Sequence, residues 1–201
     1  MVLLEGNVVW ENLRTSFVNV DELLLFLKRH EFNGYFYFTF SDCECVLFLH
    51  EGDVVNGLEE KIEERLCGQP AVRNILERSH QDKQGSITVK QLPSSTVGLL
   101  SRVYRPTVKL MHTESNSDSE QFVGFVSHLK KEGFTGYLEL LFTADEKQGI
   151  ISFNAGKVKV IITEELLADL KEESEAELKF IQSFIEKAQK GGVEYEAYGQ
   201  E

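Results

Sequence analysis

Cys43 and Cys45 stand one residue apart, just after a Ser41-Asp42 turn, and are the residues best spaced for shared chemistry. Alternate residues of a strand share a face, so both thiols could meet one metal ion. A closed zinc site takes four ligands, and only His50 and Cys67 are conceivable additions, neither at a paired spacing. Three cysteines form no disulfide framework, and ordinary reduced thiols are the favoured reading. The histidines, His30, His50, His80, His112 and His128, fall in unrelated contexts. One grouping, His50 with Glu51 or Asp53, would suggest a hydrolase or transferase if the side chains shared a pocket. Glu172, Glu173, Glu175 and Glu177 cluster where a helix start favours negative charge, and so read as a solvated run. The chain contains no G-x-S-x-G, P-loop, dinucleotide fingerprint or H-E-x-x-H motif. We therefore expect a protein that is not an enzyme, with no catalytic, cofactor or metal residues.

Any such residues must be carried by a scaffold of 201 residues, enough for one large or two small domains. Hydrophobic residues make up 42% and charged residues 27%, a globular composition. The net charge of -12 argues against nucleic acid or anionic lipid as a partner. The sequence shows no apolar run of membrane-spanning length and no signal-peptide pattern, so we expect no membrane insertion and a cytoplasmic location.

The first half opens with strand formers at Val8–Leu13. A helix is predicted from Asn19, where Asn19 and Glu22 make a capping box and Val18 and Leu23 a hydrophobic staple. Val20, Leu23, Leu24 and Leu27 define its apolar face. After Asn33-Gly34 comes an aromatic strand, with Phe36, Phe38 and Phe40 on one face and Tyr35, Tyr37 and Thr39 on the other. A hairpin returns through Cys45–Leu49, turns at Gly52, and continues in a short strand, Val54-Val55. Leu58 to Cys67 is expected to be helical, a second helix follows Pro70, and Ser86–Leu92 closes the half as a strand.

The order then recurs. Phe122, Phe125, Val126 and Leu129 align with the first apolar quartet, and Leu138, Leu140 and Phe142 with the three phenylalanines. Gly136 matches Gly34, and Gly156 matches Gly52. Val158–Ile162 is a strand, Thr163 is expected to cap a helix, Ser174 and Glu177 to cap the next, and Val193–Tyr198 to close the sheet. The fold class expected is α+β, a tandem duplication of one unit. Each unit is an antiparallel sheet packed with helices in the order strand-helix-hairpin-strand-helix-helix-strand. The first repeat spans 1–93, a linker with a short helix spans 94–106, and the second repeat spans 107–201. Gly34, Gly52, Gly136 and Gly156 are read as turn glycines. Trp10, Tyr35 and Tyr37 form the candidate interaction surface: the tyrosines are second-layer core if helices cover their face, and an amphipathic patch if they do not.

A helix, an Asn/Thr-Gly-Tyr strand start (Asn33-Gly34-Tyr35, Thr135-Gly136-Tyr137) and a strand ending before Gly-x-Val (Phe48, Gly52-Asp53-Val54; Phe153, Gly156-Lys157-Val158) make each unit resemble the PATAN domain. That resemblance implies a bacterial, cytoplasmic, non-catalytic adaptor in signal transduction or motility regulation. Its partner would be a receiver-domain protein or a small-GTPase system component, and a homodimer is a further expectation. The alternative is a small-molecule sensor with a ligand cleft between the repeats.

Overall fold

The computed structural model describes residues 3–61, 65–104, 109–144, 146–163, 167–169, 186 and 191–199. The chain divides into two compact units, one of Glu5–Thr107 and one of Val108–Glu201 with Met1–Leu4. The fold is α+β, and each unit is built on an antiparallel sheet.

The first unit runs β1 (Asn7–Arg14), α1 (Val20–Arg29), β2 (Gly34–Thr39), β3 (Glu44–His50), β4 (Asp53–Glu60), β5 (Arg65–Cys67), α2 (Gln69–Gln81), β6 (Ser86–Gln91) and α3 (Ser94–Val103). Its strands lie in the order β1-β6-β2-β3-β4-β5. The second runs β7 (Lys109–Ser117), α4 (Ser119–Lys131), β8 (Gly136–Phe142), β9 (Lys147–Asn154), β10 (Lys157–Thr163), β11 (Leu167–Asp169) and β12 (Val193–Gly199), in the equivalent order β7-β12-β8-β9-β10-β11.

Helix α1 starts where Asn19 Oδ1 accepts from the amides of Asp21 and Glu22, satisfying donors that the first turn leaves free. Its buried stripe meets the phenylalanine face of β2: Val20, Leu27, Phe36, Phe38 and Ile75 share one core. Phe36 and Phe38 are wholly buried, each contributing about 1.5–3 kcal/mol by transfer from water. In the second unit, α4 is capped by a reciprocal Asp118–Gln121 box and sets Phe122, Val126 and Leu129 on Leu138, Leu140 and Phe142.

The two units repeat one backbone device. Gly52 N–H donates to Phe32 O, and Gly156 N–H to Phe134 O, both at 2.8 Å. Asn33 Oδ1 accepts from Glu51 N, and Thr135 Oγ1 from Ala155 N, both at 2.9 Å. Gly52 and Gly156 have φ of +81° and +75°. A Cβ on Gly156 would stand 2.3 Å from Lys130 O at the end of α4, and one on Gly52 would stand 2.5 Å from Lys28 Cα at the end of α1. Gly34 and Gly136 are not turn residues: each begins a strand, where a Cβ would press on the carbonyl of the neighbouring strand, Lys90 or Tyr198.

Three segments differ from the sequence-based expectation. Leu58–Glu60 extends β4, and Arg65–Cys67 forms β5, where a helix was expected. In β4 Glu59 is buried, and its carboxylate accepts from Asn74 Nδ2 at 2.9 Å and pairs with Lys61 Nζ at 3.1 Å. Likewise, β10 reaches Thr163, and β11 pairs with it where a helix cap was expected. The helix expected from Ser174 lies outside the described residues, apart from isolated positions. Finally, the short helix expected in the linker is present as α3, but it belongs to the first unit and packs on that sheet's tyrosine face through a stacked Phe48–Tyr104 pair at 5.8 Å. Buried Asn56 fastens it there, donating to Ser101 O at 2.8 Å and Tyr104 O at 2.6 Å while accepting from Gly57 N and Gly68 N. No helix among the described residues is long and apolar enough to cross a membrane.

Two stability predictions follow from these contacts. Gly156→Ala combines a positive φ with a backbone collision and is expected to lower unfolding free energy by about 1–3 kcal/mol. Gly124→Ala, with nothing within 4 Å of the added carbon, should be neutral or stabilising by up to about 1 kcal/mol. Equal urea midpoints for the two variants would refute the packing account. Asn56→Leu removes four hydrogen bonds, leaving the Gly68 amide with Gly57 O at 2.9 Å as its partner, and should cost about 2 kcal/mol or more in the same assay. A loss under about 0.5 kcal/mol would show that Asn56 does not hold α3.

Candidate functional site

The apolar surface of the first unit is built on α1 and β1. Burying one stripe of α1 requires Val20, Leu23, Leu24 and Leu27, and these residues belong to the core or pack on it. Leu25 and Phe26 exceed that need: they are 50% and 47% exposed. Trp10, half-buried on β1, packs on the rim of the same core and meets Phe26 at 6.3 Å between ring centroids. Phe26 in turn lies 4.3 Å from the His30 ring, whose Nδ1 is 2.8 Å from Phe26 O. Trp10, Phe26 and His30 thus form one continuous aromatic edge.

Residues in equivalent positions of the second unit have different chemistry. Trp10 pairs with Val89 in the sheet, and His112 holds the corresponding register opposite Ala197. Ser127 and His128 follow Val126 in α4 as Leu25 and Phe26 follow Leu24 in α1. There His112 stacks on Phe125 at 4.8 Å, and Phe125 on Tyr195 at 4.8 Å.

The three surface candidates read from the sequence do not lie together. Trp10 is on the α1 side of the first sheet, and Tyr35 and Tyr37 are on the face that carries α3. Tyr35 is a core residue, 1% exposed and edge-on to Phe48 at 6.4 Å, so it cannot present a surface in this fold. Tyr37 is half-buried, with its hydroxyl bonded to Glu44, and its phenol is pushed up by burial and by that carboxylate. Sequence reasoning missed Phe26 and Leu25. The available signal was the unbroken apolar run Leu23–Leu27, longer than one helix stripe requires.

The chemical candidates are also placed. His50 Nε2 is 2.9 Å from Ser94 Oγ, joining the end of β3 to the first turn of α3. Neither suggested carboxylate completes a triad with it. Asp53 pairs with Lys28 Nζ at 2.5 Å, and Glu51 is exposed. The Cys43 and Cys45 Sγ atoms are 3.6 Å apart, and Arg78 Nη1 donates to Cys43 Sγ at 2.9 Å. Cys67 is buried on β5 opposite Leu58. Among the described residues, no group of three or more His, Cys, Asp or Glu side chains is arranged to hold a metal ion.

Fold and surface together define a duplicated α+β scaffold with an aromatic edge on its first unit. The family model described as an uncharacterized protein conserved in archaea, DUF2226, matches residues 1–104 of the 201, and the chain belongs to that family. No curated protein and no solved structure matches it. The family match overturns both the PATAN resemblance and the bacterial origin it implied. The residues carrying that resemblance were glycines and apolar positions. In this fold they serve the hairpin–helix contact, a packing requirement rather than a mark of one family.

The buried tyrosine gives a pH prediction. Burial, with a smaller contribution from Glu5, pushes the Tyr35 phenol up to about 12. An unfolded tyrosine ionises near about 10. The unfolded chain therefore releases this proton first, and stability falls as pH rises from about 10 towards about 12, at about 1.4 kcal/mol per pH unit for one group. Tyr35→Phe should make the decline shallower by one proton's worth in denaturation series at alkaline pH. An unchanged slope would show that Tyr35 ionises freely in the folded protein.

Proposed function

We propose that this protein is a non-catalytic protein-binding module, an adaptor, whose contact surface is the Trp10–Phe26 edge of the first unit with Leu25 beside it. The observation that carries this reading is the exposure of Leu25 and Phe26 on a helix whose core stripe is already complete. Aromatic side chains next to aliphatic ones are enriched where proteins meet, because they bury much area at little cost in side-chain freedom. The net charge of -12 favours a protein partner over a polyanion. Receiver domains, GTPase systems and motility rested on the PATAN resemblance alone and are not carried forward.

The test is capture from the lysate of the source organism, comparing wild-type bait with Leu25→Asp and Phe26→Asp. Both positions are exposed, so the variants should melt within about 2–4 °C of wild type. Proteins held by the wild type and lost by at least about tenfold with either variant would support the surface, equivalent to about 1.4 kcal/mol of contact. Identical recovery on all three baits would refute it.

A further inference from the structure

The grouping at the Cys43 end of the first sheet has no role in the adaptor reading. Cys43 closes the turn after β2, its carbonyl accepting from Phe40 N at 3.0 Å, and Cys45 follows on β3. Both thiols lie in the core between the sheet and α2: Cys45 is wholly buried and Cys43 is 6% exposed. Arg78, from α2, reaches over this end. Its guanidinium grips the Asp42 carboxylate with both terminal nitrogens, lies 5.4 Å from the Phe40 ring centroid, and donates to Cys43 Sγ. Packing alone does not require the Cys45 sulfur. Cys45 pairs with Phe38, and the equivalent partner of Leu140 in the second unit is Gly149. The second half of the chain has no cysteine.

The thiolate is the nucleophilic form of cysteine, and a cationic donor held on one sulfur favours it there. Burial pushes both thiols up, with Asp42 and Glu59 adding to the effect at Cys43 while Arg78 and the Cys45 thiol oppose it. Cys43 is thus the sulfur with the cationic donor and the less completely buried residue of the two, and Cys45 is in contact behind it.

We propose that Cys43 and Cys45 form a peroxide-oxidisable dithiol, with Cys43 as the attacking sulfur and Cys45 as the resolving sulfur. The Cys43 thiolate attacks one oxygen of hydrogen peroxide. An S–O bond forms, the O–O bond breaks, and the leaving hydroxide takes up a proton as water. Cys45 then attacks the sulfenic sulfur. The S–S bond forms, the S–O bond breaks, and a second water leaves with the Cys45 proton. Two thiols lose two electrons, and one peroxide gains them. The two Sγ atoms stand 3.6 Å apart, and a disulfide holds them at about 2.0 Å, so the turn carrying Cys43 must close by about 1.6 Å as the bond forms. An external dithiol reduces the Cys43–Cys45 bond by thiol–disulfide exchange, becoming a disulfide itself and returning two hydrogens to the protein thiols.

The experiment treats reduced wild-type protein with a small excess of hydrogen peroxide, then reads intact mass and a peptide map. The expected product lacks two hydrogens, both from the peptide containing Cys43 and Cys45, and dithiothreitol restores them. Cys67→Ser should behave identically. Cys45→Ser should instead gain one oxygen on Cys43, trapped by dimedone, and Cys43→Ser should do neither in the same time. Arg78→Leu should slow the reaction about tenfold, the effect of making the Cys43 thiolate ten times scarcer. A substitution at a buried thiol can cost the fold, so the wild-type map is decisive by itself. Failure to join Cys43 and Cys45 at a dose that oxidises free cysteine, or a product on Cys67, would overturn the proposal.

Discussion

In both units the chain that leaves the second strand of the meander has to pass over the last turn of the preceding helix, and a glycine leaves room for it. Gly52 lies on the backbone of Leu27 and Lys28, and Gly156 on that of Lys130 and Gly133. The contact joins a backbone amide to a carbonyl just beyond the helix, Phe32 O or Phe134 O, where carbonyl groups lack helical partners. This is a polar contact between elements, made without side chains, and it fixes both the distance and the direction of the helix relative to the sheet. Once those are fixed, the apolar stripe of α1 can meet the phenylalanine face of β2, and that of α4 the leucine face of β8. The sheet order is preserved between the units because the anchor is preserved, even though the core side chains differ.

The repeat was legible because its signals are local. Helix caps, a 3.6-residue stripe and a glycine at a turn can each be read within about a dozen residues. Where a segment's fate is decided by a distant partner, the reading failed. The stretch Leu58–Cys67 has the charge pattern of a helix face, yet Leu58 pairs with Val46, and Glu59 finds Asn74 from α2. Whether Tyr35 is core or surface depends on α3, and the expectation of a short helix in the linker does not say which face that helix covers. Its attachment includes Asn56 in β4, whose amide ties that strand to residues 45 and 48 positions away. The aromatic edge was half legible: Trp10 was singled out, but its contact with Phe26 crosses from a strand to a helix. The clamp of Arg78 on Cys43 spans 35 residues and has no sequence signature.

A duplicated scaffold also supplies its own control for separating structural from functional residues. Positions where both units keep the same chemistry are those the fold demands, such as the anchor glycines, the buried stripes, and the side-chain oxygen of Asn33 or Thr135 that receives the turn amide. Positions where the backbone register is kept but the chemistry is not are free of that demand. Trp10 against His112, Phe26 against His128 and Cys45 against Gly149 are of this second kind. A phenylalanine that keeps 47% of its surface exposed forgoes much of the burial that would favour it in folding. A cysteine at a place where glycine suffices is likewise not required by packing. Both departures fall on the first unit. The fold accounts for the likeness between the units, and the residues that differ are those left to carry what the first unit does and the second does not.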